Sequence, residues 1–93
     1  MKVIKRDGRE VPFDYTRIKQ AIEAANAEVS ETDRLSDTMV GFVVGRVEKR
    51  CAALSRAVSV EEIQDMIEDE LLAVDRPTLM RNYSAYRLRH ALL

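Results

Sequence analysis

Asp7-Gly8, set between Val3-Ile4 and Val11, is the feature that most constrains this chain. Aspartate and glycine tolerate the positive φ of a tight turn, so Lys2–Phe13 reads as a β-hairpin. A two-residue turn there pairs Arg6 with Arg9, Lys5 with Glu10 and Ile4 with Val11, and sends Lys5 and Arg6 to opposite faces. Pro12 cannot donate to a ladder and marks a strand end or edge. A lone hairpin is barely stable in water, so the rest of the chain must supply a surface for it.

That surface reads as helical. Asp14 is an N-cap for a helix from Tyr15, with Ile18, Ala21, Ile22 and Ala25 on one stripe. Asn26 to Ser36 is polar and reads as a loop. A second helix starts at Asp33 or Asp37 and runs to Leu54, with Leu35, Met39, Val40, Val43, Val44 and Val47 on its apolar face. Gly41 and Gly45 suit close helix contact. Ser59-x-x-Glu62 is a capping box opening a third helix with Val60, Ile63, Ile67, Leu71 and Leu72 along one side. Pro77 suits the first position of a fourth helix running to the C-terminus. The fold class is α+β, mainly α: an N-terminal hairpin packed on four helices, one domain over residues 1–93.

The chain is 93 residues, too short for most complete enzymes, and its 15 basic and 16 acidic residues nearly cancel. That balance disfavours a general polyanion binder and makes nucleic acid a poor partner. No apolar run approaches the roughly 18 residues of a membrane span, and the start lacks a signal-peptide core. A single cysteine, Cys51, offers neither disulfide nor zinc set and reads as packed, so a cytoplasmic setting is expected. No catalytic constellation, metal cluster, P-loop or dinucleotide fingerprint is present.

Charge is segregated along the chain. Residues 1–20 hold Lys2, Lys5, Arg6, Arg9, Arg17 and Lys19. Residues 61–75 hold seven acids and no base, and residues 76–93 hold four arginines and His90 with no acid. Two readings follow. Either neighbouring helices balance their surface charge, or the two basic ends meet and build a local site for a small phosphate ligand. Lys5, Arg6 and Arg17 beside a helix N-terminus would make a sensible phosphate cradle. The acids of the third helix read as a solvated face.

Four blocks then stand in order: Val3-x-Lys-Arg-Asp-Gly8, Val11-Pro-Phe-Asp-x-x-Arg-Ile18, Val58-Ser-Val-Glu-Glu-Ile-Gln-Asp65 and Tyr83-x-x-Tyr-Arg-Leu-Arg89. Together they resemble the ATP-cone domain over essentially the whole chain. The wording is most similar to the N-terminal regulatory domain of anaerobic ribonucleoside-triphosphate reductases, with cobalamin-dependent reductases next. The resemblance implies a non-catalytic domain that binds ATP or dATP, with Mg²⁺ accompanying the triphosphate. It would control overall reductase activity through changes in assembly. Its implied partners are the catalytic body of a reductase or another ATP-cone.

A start at Met1 with no CxxC pair disfavours the zinc-ribbon repressors that also carry the domain. The chain then reads as a regulatory segment of a longer protein or a stand-alone cone. The alternative function is a degenerate cone that serves as a protein-interaction module.

Carried over by position, Lys5 and Arg6 match the basic pair on the phosphates. The backbone at Val3 would lie near the base, and Asp14 and Arg17 near the ribose and phosphates. Val60 and Gln64 would face the adenine, with the Gln64 amide able to read its edge. Arg87 and His90 match C-terminal basic positions. His90 departs from the expected lysine or arginine and is mostly neutral at pH 7, which implies weaker or pH-dependent phosphate binding.

Overall fold

The computed structural model describes residues 1–90. Its order is β1 (Lys2–Ile4), β2 (Glu10–Pro12), α1 (Tyr15–Asn26), α2 (Asp37–Ala52), β3 (Val58–Ser59), α3 (Val60–Ala73) and α4 (Pro77–Arg89), with a 3₁₀ turn at Glu31–Asp33. Helix α1 packs on α2 and α4, and α3 closes the ring against the same two. No described helix is long and apolar enough to cross a membrane.

The hairpin register differs from the sequence expectation by one residue. Val3 pairs with Val11 and Ile4 with Glu10, so Lys5 faces Arg9. The loop has three residues, not two. The Gly8 N–H donates to the Lys5 carbonyl at 2.9 Å, and Gly8 itself adopts φ +86°. This is a type I turn followed by a left-handed residue, the usual three-residue hairpin. Asp7 accepts from both the Arg9 backbone N–H (3.1 Å) and its Nε (2.6 Å), which fixes the tip.

The hairpin is not left two-stranded. β1 also pairs in parallel with β3, Val3 to Val58 and Ile4 to Ser59, giving the sheet order β2-β1-β3. The segment Val58-Ser59 is too short for alternation to reveal it. Ser59 ends this strand and caps α3: its hydroxyl accepts the Glu62 N–H, and Glu62 accepts the Ser59 N–H in return.

The core is one cluster. Val40, Val43, Val44, Val47 and Cys51 of α2 meet Ile18, Ile22 and Ala25 of α1, Ile63, Ile67 and Leu71 of α3, and Leu79 and Tyr83 of α4. Cys51 is fully buried beside Met66, and burial pushes its thiol pKa up, as expected of a packing residue. Two expectations fail here. A Cβ at Gly45 would meet open space, so close helix contact is not its reason. Helix α4 ends at Arg89: His90 is extended, with φ −129° and ψ 145°, and the expected continuation falls outside the described residues.

The α3 acids are also not a purely solvated face. Glu70 is buried and receives Arg46 and Arg50, and Glu62 takes a two-point contact from Arg56. After α3 the chain turns through a Schellman motif. The Arg76 N–H reaches the Leu71 carbonyl and the Asp75 N–H reaches Leu72, with Asp75 at φ 58°.

Two outcomes follow. Arg56 and the Ser59 N–H hold Glu62 down at about 2, from an ordinary 4.5. A depressed carboxylate stabilises the fold fully above its unfolded pKa and loses that contribution as pH falls through the folded one. Thermal melts of Glu62→Gln should therefore lie below wild type at pH 7, with the gap closing toward about pH 2. Gly8→Ala places a Cβ in the left-handed region and should cost about 1 kcal/mol in chemical denaturation.

Candidate functional site

A cleft of about 330 Å³ opens between the hairpin, the start of α1 and the flank of α3. Val3, Val11, Phe13, Ile18 and Ile63 supply apolar walls, and Lys5, Asp14 and Arg17 supply the polar groups. The sheet explains why Val3 and Lys5 arrive together: side chains two apart on a strand share a face. The Met1–Phe13 and Lys5–Arg9 pairs are hydrogen-bonded, so alternation makes Val3–Val11 a bonded pair as well. Val3 thus spends both backbone groups in the ladder and meets the cleft as an apolar wall.

Helix α1 begins at the rim because Asp14, in extended conformation, caps it: Asp14 Oδ1 accepts the Arg17 N–H at 3.2 Å. The Arg17 side chain then projects from the first turn. Lys5 and Arg17 make no ion pair among the described residues, so the rim carries two cations without a close ion-pair partner, with Asp14 in the same lining, beside the positive end of a helix dipole. Tyr15 borders the same cleft and donates its hydroxyl to the Gly41 carbonyl at 3.3 Å.

The remaining expected residues fall into separate environments. Arg6 follows Lys5 but leaves the strand and binds Glu61 at the start of α3, Nε to Oε1, at 2.7 Å. Arg87, on α4, is largely covered and donates to the other oxygen of Glu61 at 2.9 Å. It also reaches Asp65 at 3.0 Å and Glu68 at 3.2 Å. The two basic ends of the chain do meet, with Glu61 between them. Arg6 first and Arg87 second lower the Glu61 pKa, so it is held ionised. Sequence reasoning missed Glu61. The signal was present: Glu61, Asp65 and Glu68 recur at i, i+4 and i+7, one helical face.

Val60 is buried in the core cluster. Gln64 is fully buried, accepts the Tyr83 hydroxyl on Oε1, and leaves Nε2 with no partner among the described residues. Neither residue lines the cleft described above. His90 is exposed and stacks on Tyr86 with ring centroids 4.1 Å apart. Burial raises the Tyr83 pKa well above the usual tyrosine value, so its hydroxyl stays a donor. Tyr83→Phe removes the one described partner of the Gln64 amide and should destabilise the fold by about 1–3 kcal/mol, read from urea denaturation.

The comparisons with known proteins agree with this architecture. A family model described as the ATP cone domain matches residues 1–92. The vitamin B12-dependent ribonucleoside-diphosphate reductase of Mycobacterium tuberculosis is 40% identical over 93 residues, 99% of this chain and 13% of that protein. The anaerobic ribonucleoside-triphosphate reductase of Escherichia coli is 37% identical over 87 residues, 91% of this chain and 11% of that protein. The ribonucleoside-diphosphate reductase subunit alpha of Chlamydia muridarum is 31% identical over 98 residues, 94% of this chain and 9% of that protein. This chain therefore spans roughly a tenth of the length of these curated relatives. With the family model covering nearly every residue of a hairpin-and-four-helix fold, the chain belongs to the ATP-cone family.

Proposed function

We propose that this domain binds ATP or dATP in the cleft between the hairpin, α1 and α3, and acts as a non-catalytic allosteric regulator of a ribonucleotide reductase. The observation that carries the proposal is an apolar wall set beside two cations that make no ion pair among the described residues, all in one cleft. A purine ring needs apolar surface, and a triphosphate needs fixed positive charge at a helix start. Asp14 has one oxygen committed to capping and a second free for a ribose hydroxyl. No group of three metal-ligating side chains stands among the described residues, so Mg²⁺ would enter on the phosphate oxygens themselves.

Arg6, Arg87 and His90 toward the phosphates extend the reading carried over from the family; Val60 and Gln64, carried over toward the base, are buried outside this cleft. Regulation would run by linkage: a nucleotide that prefers one assembly shifts the equilibrium by its differential affinity. The partners are the catalytic body of the reductase or a second cone. The Pro12-Phe-Asp14 and Val60–Asp65 wording favours an anaerobic reductase as parent, in the cytoplasm. The stacking of His90 on Tyr86 favours a second reading, a degenerate cone that binds protein instead.

Isothermal titration with ATP and with dATP, each with Mg²⁺, separates the two. The proposal expects a Kd on the order of micromolar, with a change of mass in light scattering for one nucleotide. Lys5→Ala and Arg17→Ala should each weaken binding about tenfold or more, since each deletes a charged donor, while leaving the melting temperature nearly unchanged. Unchanged affinity in both variants removes the phosphate site, and no binding of either nucleotide by wild type favours the interaction module.

A further inference from the structure

We infer that Glu61 is an internal counter-ion shared by Arg6 and Arg87, and that a triphosphate bound at the cleft must displace it. This deepens the reading of the cleft as a nucleotide site and rests on it. The geometry is that of an anion held by two cations from opposite ends of the chain. Oε1 takes Arg6 from the hairpin and Oε2 takes Arg87 from α4. A phosphate group bridging two guanidinium groups would make the same pair of contacts.

Position supports exchange. Arg6 and Glu61 do not line the cleft themselves but lie at its border, Arg6 next to Lys5 and Glu61 two residues before Ile63, and both Lys5 and Ile63 line it. The Glu61 and Arg6 side chains are about half exposed, at 52% and 54%, whereas Arg87 is at 12%. The carboxylate can therefore swing into water, and Arg6 can move with the hairpin tip. Arg87 remains in place, backed by Asp65 and Glu68. Those two acids keep Arg87 oriented when Glu61 leaves.

The exchange has a direction. A triphosphate carries several charges where Glu61 carries one, so it also engages Lys5 and Arg17, which Glu61 does not pair with. A monophosphate or a stray inorganic anion lacks that reach. Glu61 thus sets a threshold of ligand charge on the site. It also couples occupancy to structure, because releasing Glu61 removes an ion pair between Arg6 at the hairpin tip and the first turn of α3, while the β1–β3 ladder stays in place.

The test is titration of wild type, Glu61→Gln and Glu61→Ala with inorganic tripolyphosphate and, separately, with ATP. Asp69→Asn is the control, since Asp69 lies on the same helix but pairs with Arg50. Loss of the competing pair should tighten tripolyphosphate binding about three- to tenfold in both Glu61 variants, with little change for Asp69→Asn. The gain should shrink when Arg6→Ala is added. Equal or weaker binding in folded Glu61 variants, or an equal gain in Asp69→Asn, overturns the inference.

The ATP titration tests nucleotide binding independently. Wild type that binds ATP with no gain in the Glu61 variants keeps the site and removes the counter-ion role. Glu61 variants that gain tripolyphosphate in a protein indifferent to ATP keep the counter-ion and remove the nucleotide.

Discussion

Two strands of three residues bury too little to hold themselves together, and the ladder between Val3-Ile4 and Val58-Ser59 supplies what the hairpin lacks. That parallel pairing joins residues 55 apart in sequence and makes β1 the central strand of a small sheet. Its placement matters more than its length. Ser59 closes the ladder and, in the same residue, caps α3. The hairpin is therefore indexed against the first turn of α3, and Arg6 arrives beside Glu61. The cleft walls follow from the same registration, because Val3 and Lys5 face toward Ile63 once β1 is fixed.

Electrostatics then act on a frame already set by packing. Exposed ion pairs contribute little to stability, generally under about 1 kcal/mol, so Arg6–Glu61 does not hold the sheet in place. Arg87 is different, since it is mostly covered and faces three carboxylates of α3. A largely buried cation without partners would be costly, and the acidic run on α3 answers that need. The same arrangement on the other flank, Arg46 and Arg50 on buried Glu70, ties α2 to α3. The acidic third helix is thus the counter-ion of its neighbours, while at the cleft rim Lys5 and Arg17 make no ion pair among the described residues.

Much of this was legible in the sequence where a local rule operates. Asp14 as N-cap, Ser59 with Glu62 as a capping box and Pro77 at a helix start all rest on backbone groups within one turn. The apolar stripes of α1, α2 and α3 followed from periodicity, except at Leu72, which the α3 stripe included and the fold leaves exposed. What escaped depended on distant partners. The hairpin turn allowed two or three loop residues, and the pairing of Val3 with Val58 selects the frame that puts Val3 and Val11 inward.

β3 has only two residues and no pattern to read. Glu61 looked like surface because its partners lie on the hairpin and on α4. The segregation of charge did indicate that the basic ends converge, and both readings of it hold in part: the ends meet, and an acid balances them. The burial of Gln64 under Tyr83 likewise needs the α3–α4 contact, which no local rule provides.

A site whose arginines are already paired differs from an open one in what ligand energy can accomplish. In an open site, the attraction of phosphate for arginine appears directly as affinity. Where a carboxylate is present first, part of that attraction is spent on exchange, and the affinity is correspondingly lower. What is gained is coupling, because the displaced group belongs to the fold. Glu61 sits in the first turn of α3, two residues from a strand end that anchors the hairpin. Freeing it changes the restraint between sheet and helix, and a ligand acts on an equilibrium only through such differential contacts. A pocket of this kind can be weak as a binder and effective as a regulator.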